Sequence, residues 1–478
     1  MPSNRFNSNN PGIEASVSHL KKVIENGTAN FAPDPCAMWM SSIDTRTGRY
    51  PENDRRPPGV ANRVYRNIGA PRGCTLYWDQ PAIAAAHALA ALTGDASLAS
   101  AADACVMAFL QRCISKSGLF FWGNHYYWDA FEGCAKVFYS DEEPQPVDYE
   151  HDEAMMHELR PVPPAWEAFW RISPQATERC IRAMGKYYIF DHDTGGFNRH
   201  ANRSSGHAFL ESGGILAESL CWLAKKTGDT ALAETALRVA QYSWNHRSEQ
   251  TGLVINSPGQ KRWDGHTCTT EVGAWAMSLL RCFAYTGIAG FADIARNATA
   301  AYLRYGYDER AGLYYGRLNA EDGTPNLSPK ETVYQPGNYA DLWEPLFPTH
   351  NYPMSLAEAC VQLFEMTGEQ QFAQGIARWQ SVIEKSLPAN EGRGAYAEHY
   401  GRCIHFLTRA AAASNDQSAA DLARRVAGEA IETLFENRMF RGHPGEHRCD
   451  AVDGAGYLML ALIELKHGQE PDGMGFGF

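Results

Sequence analysis

Apolar positions recur at the i, i+3, i+4, i+7 spacing of a helix through most of the chain, and the breaks between these segments form a pattern of their own. The first kind of break is a tight turn: Leu92-Thr-Gly-Asp95, Lys226-Thr-Gly-Asp229, Tyr285-Thr-Gly-Ile288 and Met366-Thr-Gly-Glu369. Glycine ends one helix there, and an acidic residue in three of the four favours the start of the next. The second kind is a glycine loop: Ser117-Gly-Leu-Phe120, Thr251-Gly-Leu253, Ala311-Gly-Leu-Tyr314 and Gly392-Arg-Gly-Ala-Tyr396. From turn to loop the glycines step Gly94 to Gly118, Gly228 to Gly252, Gly287 to Gly312 and Gly368 to Gly392, which is 24 or 25 residues each time. Looser copies run from Ser173-Pro174 to Gly195-Gly196 and from Ser414-Asn-Asp416 to Gly442. A fixed period of this kind marks a repeat architecture.

The spacing predicts inner helices near 78–92, 160–171, 211–226, 270–285, 353–366, 397–412 and 450–467. Outer helices are predicted near 13–27, 95–113, 175–190, 229–247, 288–305, 369–386 and 416–437. Seven of each imply an all-α toroid of seven helical hairpins, (α/α)7, with six hairpins as the fallback. The first outer helix then pairs with the last inner one, because an open solenoid would carry polar capping repeats that the chain lacks. One catalytic domain over residues 1–478 is expected, with residues 1–12 as a flexible tail. Inner segments such as Leu210-Glu-Ser-Gly-Gly-Ile-Leu-Ala-Glu-Ser-Leu-Cys-Trp222 are apolar on several faces, as burial inside a ring requires. The tight turns share one rim of such a ring and the long loops share the other, so chemistry is expected on the long-loop rim.

Composition narrows the class. With 44% hydrophobic residues and 12 tryptophans the chain can bury a large core. No apolar run reaches the roughly 18 residues of a membrane span. The opening Met-Pro-Ser-Asn-Arg-Phe has no apolar core of the signal-peptide kind, which favours the cytoplasm, with the periplasm as the alternative. A net charge of −12 argues against nucleic acid, and an acidic substrate would need a local basic pocket. Twelve cysteines form no C-x-x-C; Cys105, Cys180, Cys221, Cys282, Cys360 and Cys403 lie in helical apolar segments and read as buried thiols.

Unusual residues gather in the long loops. Arginine and lysine mix there with tryptophan and tyrosine, a lining that suits an acidic oligo- or polysaccharide. Lys261, Arg262 and Arg317, with Arg203, are the expected carboxylate contacts, and Trp78, Tyr334 and Trp343 the expected stacking platforms. His157 and His350 are further substrate-contact candidates, His157 being equally readable as a satisfied histidine. His125, Glu158 and His200 come from successive loops, and two imidazoles with a carboxylate make a common divalent-metal donor set, ordinary polar loop contacts being the alternative. No G-x-S-x-G, P-loop, dinucleotide fingerprint or H-E-x-x-H occurs, which removes those chemistries.

At Phe197-Asn-Arg-His200, with Glu158 upstream, the chain resembles the family 2 polysaccharide lyases, the metal-dependent pectate lyases. The resemblance implies a seven-hairpin α/α barrel. It also implies a transition metal, manganese first, on His200, Glu158 and a further histidine, matched here by His125, and a catalytic base at Arg199. Such an enzyme removes the C5 proton of a uronate and eliminates at C4, with the metal neutralising charge on the carboxylate. From the residues alone Arg199 reads as a carboxylate clamp, because arginine normally stays protonated. Other classes stay open: a hydrolase of uronic-acid oligosaccharides using two carboxylates from Asp79, Glu344 and Asp450, a sugar epimerase using His266 and His399, and a non-catalytic sugar-binding protein.

Overall fold

The computed structural model describes residues 10–29, 31–51, 73–123, 125–137, 144–151, 156–159, 162–258, 265–330, 335–343 and 352–468. The first outer helix is α1 (Pro11–Asn26), so the expected tail of residues 1–12 gives way to helix at Pro11, with Asn10 as the N-cap. Inner and outer helices then alternate as α2 (Gln80–Thr93) and α3 (Ala96–Arg112), and α4 (Trp166–Ile172) and α5 (Pro174–Tyr188). They continue as α6 (Leu210–Thr227) and α7 (Thr230–Asn245), and α8 (Thr269–Thr286) and α9 (Ala289–Tyr305). After α10 (Tyr352–Thr367) and α11 (Gln370–Lys385) comes one turn of helix, α12 (Pro388–Glu391). The series ends with α13 (Ala397–Ser414), α14 (Gln417–Leu434) and the inner α15 (Ala455–His467). Seven inner and seven outer helices are thus present among the described residues, and the seven-hairpin count replaces the fallback of six.

The Thr-Gly turns explain why the hairpins are tight. At the end of α6 the Thr227 hydroxyl donates to the Leu223 carbonyl at 2.9 Å and accepts from the Asp229 N–H at 3.3 Å. Gly228 between them takes φ 76°, the left-handed conformation a side chain disfavours, and its N–H closes the helix onto Ala224. The other three turns are built alike. The outer helices α5, α9 and α14 each run into a short antiparallel hairpin: 189–191 with 196–197, 307–308 with 313–314, and 435–436 with 439–440.

The ring closes as the repeat requires. Helix α15 packs on α2 and α13, and α1 packs on α15, α14 and α2. Strand Ser42–Asp44 pairs antiparallel with Arg448–Asp450 in the register Ser42 to Asp450, tying the start of the chain to its end. Neighbouring inner helices approach closely: a Cβ on Gly273 of α8 would stand 2.3 Å from the Leu356 nitrogen of α10. One inner helix is shorter than expected. Pro163 and Pro164 delay α4 to Trp166, since proline removes N–H donors and bars its predecessor from helical backbone. Trp166, Trp222, Trp275 and Trp379 are fully buried between the two layers of helices. No described helix is long and apolar enough to cross a membrane.

Candidate functional site

All inner helices start on the long-loop rim, and two groups of polar residues meet there. The first lies in the loops. Segments 157–159 and 199–201 run antiparallel, with the Leu159 N–H on the Arg199 carbonyl (2.8 Å) and the Ala201 N–H on the His157 carbonyl (3.1 Å). This pairing sets Glu158 beside His200, as the spacing led us to expect. Arg199 Nε stands 3.0 Å from Glu158 Oε1 and donates to His200 Nε2 at 3.2 Å. His125 Nε2 approaches the other carboxylate oxygen at 3.6 Å. The Arg199 guanidinium also lies 4.8 Å from the centre of the Phe209 ring. His125, Glu158, Arg199 and His200 are therefore brought together, but the cation among them is Arg199.

The donor chemistry of this group suits a divalent metal; its arrangement does not. The guanidinium fills the gap between Glu158 and His200, and no set of three histidine, cysteine, aspartate or glutamate side chains among the described residues is gathered for an ion.

Most expected substrate contacts sit elsewhere. Lys261, Arg262, Tyr334 and His350, and with them Glu344, lie outside the described residues. Trp78 is corrected from a stacking platform to a buried side chain: it lines a small cavity between α1, α2 and α15. Trp343 is likewise buried, its indole N–H on Ser386 Oγ and its ring tilted against Tyr400. Arg317 is 1% exposed on a strand paired with 266–268, and its guanidinium donates to the Ser328 carbonyl; it holds a loop and meets no solvent that could carry a substrate carboxylate. His157 is buried, stacked on Phe121 and tilted against Tyr126. Arg203 is exposed over the Tyr187 ring, outside the loop cluster.

The carboxylates weighed for a hydrolase are also reassigned. Asp450 accepts from Ser42 Oγ at 2.5 Å and Arg448 Nε at 2.9 Å, so it fastens the chain-closing strands. Asp79 faces the cavity beside His19, Trp39 and Trp78. Burial raises its carboxyl to about 8 and lowers the His19 imidazole to about 4.

The second polar group lies inside the ring and was missed by sequence reasoning. A small cavity of about 20 Å³, room for a water molecule, lies between α6, α8, α10 and α13 and is lined by Glu211, Ser278, Arg281, Ser355, Glu358 and Arg402. Glu211 belongs to the first turn of α6, and Glu358 and Arg402 to the second turns of α10 and α13. Arg281 is already engaged: its Nε and one Nη each meet a Glu218 oxygen at 2.7 Å. Burial works against this guanidinium, but Glu218 overcomes the effect and keeps it above its ordinary range. Arg402 stands 3.5 Å from Glu358 and stacks 4.4 Å over the Tyr457 ring. Burial opposes its charge most strongly, but Glu358, Tyr457 and Glu398 together outweigh it and raise the group above its ordinary range. Glu211 Oε2 and both Glu358 oxygens receive no hydrogen bond from any described residue. Buried carboxylate oxygens are normally satisfied, so these point to water or a ligand. The available signal was a glutamate inside a segment apolar on every face, as at Glu211.

Comparison with known proteins gives two kinds of likeness. Residues 79–211 match a family model described as periplasmic pectate lyase, which agrees with the resemblance at Glu158, Arg199 and His200. Solved structures share the ring. D-mannose isomerase is 10% identical with a TM-score of 0.51, covering 76% of this chain and 95% of that one. An inactive α-1,6-mannanase variant of Salegentibacter sp. HEL1_6, in complex with α-1,6-mannotetrose, is 11% identical with a TM-score of 0.48 over 95% and 99% of the two chains. The unsaturated glucuronyl hydrolase of Bacillus sp. GL1 is 13% identical with a TM-score of 0.44 over 64% and 84%. The likeness to D-mannose isomerase shows the α/α-toroid fold. The expectation of a β-eliminating lyase is corrected: the residue expected to be the base, Arg199, is an ion-paired hydrogen-bond donor.

Proposed function

We propose that the protein is a carbohydrate-active enzyme that hydrolyses glycosidic bonds at the long-loop rim beside the small cavity inside its ring, with Glu211 and Glu358 as the working carboxylates. One observation supports the reading above the others: two buried carboxylates from different inner helices enter one cavity with oxygens that no described residue bonds. Glycoside hydrolysis asks for that pair. Their surroundings divide the roles. Glu358, which faces the Arg402 guanidinium, is assigned to activate water or attack the anomeric carbon; Glu211, with the Ser212 hydroxyl on its other oxygen, is assigned to pass a proton to the departing glycosidic oxygen. One water is consumed, its hydroxyl going to the anomeric carbon and its proton restoring the acid.

The charge balance bears on the substrate. The cavity lining carries two carboxylates (Glu211, Glu358) and two guanidinium groups (Arg281, Arg402), and Arg281 is already paired with Glu218. With each guanidinium already facing a carboxylate, the described lining does not draw in a substrate carboxylate, which favours a neutral hexose unit over a uronate beside it. The periplasmic description of the matching family supports a periplasmic setting over a cytoplasmic one.

A second reading, sugar epimerisation or isomerisation, is favoured by the two imidazoles at the same rim. His399 is fully buried in the first turn of α13, one turn above Arg402, and His266 leads into α8. Mass spectrometry of neutral and uronate-bearing oligosaccharides incubated with the protein separates the readings. Hydrolysis gives shorter sugars whose summed mass has gained one water; isomerisation leaves mass unchanged. Products bearing a new double bond, or intact sugars throughout, would overturn both.

A further inference from the structure

We infer that Arg199 is the resident cation of the loop cluster and stands where the resembled family places its metal, so that His125, Glu158 and His200 hold no divalent ion in this protein. The Glu158 side chain is 3% exposed, and a carboxylate so far from water demands a cation. Arg199 supplies one at 3.0 Å.

The same guanidinium engages the lone pair that a metal would require. Arginine only donates, so the contact between Arg199 Nε and His200 Nε2 fixes that nitrogen as the acceptor, with the proton on Nδ1. A dication entering between Glu158 and His200 would lose this nitrogen to the guanidinium and stand against a like charge.

Displacing Arg199 is opposed from several sides. Its N–H donates to the His207 carbonyl at 3.0 Å, and its own carbonyl accepts from Leu159. Asn198 Oδ1 accepts from the His200 N–H at 3.0 Å, and the Asn198 amide in turn donates to the Ser204 carbonyl at 2.9 Å, which fixes the strand that carries both residues. Phe209 underlies the guanidinium. His207 holds φ 40°, a strained value for a residue with a side chain, and Arg203 holds 55°. The loop therefore spends backbone strain in presenting its carbonyl to Arg199.

The test is titration of the full chain with manganous ion, read as the electron paramagnetic resonance signal of free Mn2+. The wild type should leave the signal undiminished. Arg199→Met, which removes the charge and keeps the length, should bind one ion at least roughly tenfold more tightly than wild type, and adding His200→Ala should abolish that binding. If Arg199→Met does not fold, Arg199→Gln takes its place. Stoichiometric binding by the wild type that His200→Ala removes would overturn the inference. Binding by neither wild type nor the Arg199 variants would also overturn it, because Arg199 would then not be what keeps the ion out.

Discussion

Single side chains in this ring do different work according to which wall they face. Asp79 and His19 line one cavity near the closure of the ring, and both are held neutral by burial. Between pH about 4 and about 8 the unfolded chain ionises Asp79 while the folded one keeps the proton, so stability falls as pH rises through that window. His19 acts in the other direction: from about 6.5 down to about 4 the unfolded imidazole takes a proton that the folded one refuses, and stability falls as pH falls. Asp79→Asn removes the first slope only. We expect its melting temperature to exceed that of the wild type at pH 8.5, and the gain to shrink toward pH 5. A difference constant with pH, measured by thermal denaturation across that range, would show that Asp79 is not buried as a neutral acid. Glu211 and Glu358 face the other cavity, between the inner helices, where the proposed consequence is chemical. Glutamine at either position keeps the shape and removes the proton chemistry, so turnover is expected to fall with the melting temperature little changed.

At the scale of helices, the hairpins were legible because the chain marks both ends of each one. Threonine before glycine supplies a hydroxyl that closes one helix and receives the next, and that chemistry recurs in four turns. The shortened α4 was less visible, because an apolar pattern outvoted the Pro163-Pro164 pair that forbids helix there. The loop cluster was legible as neighbours in space, since Glu158 and Arg199-His200 lie on segments that pair as strands. The cavity pair was not, because Glu211 and Glu358 are separated by two helical hairpins and resemble surface residues that interrupt an apolar run. Helix contacts make their own prediction. The close approach of α8 to α10 leaves no space at Gly273, whose Cβ would meet the backbone of Ser355 and Leu356. Gly273→Ala should therefore destabilise the protein by about 1–3 kcal/mol through forced separation of these helices. Because Ser355 and Glu358 share the displaced helix, it should also lower activity. Denaturant unfolding that matches the wild type would contradict the close packing.

The whole molecule combines a ring fold shared with D-mannose isomerase and a segment that matches a pectate-lyase family over residues 79–211. That segment takes in the loop cluster around Arg199, while the cavity between the inner helices is proposed from its own carboxylates. The net charge of −12 agrees with a neutral sugar unit rather than an acidic one. The most direct measurement compares initial rates of wild type, Glu358→Gln and Arg199→Met on one oligosaccharide that the wild type processes, each protein first shown to melt cooperatively. If chemistry occurs inside the ring, Glu358→Gln should lose about a thousandfold in turnover, while Arg199→Met retains most of it. Full activity in Glu358→Gln, with activity abolished in Arg199→Met, would move the reaction to the loop cluster and contradict the assignment of the cavity as the active site.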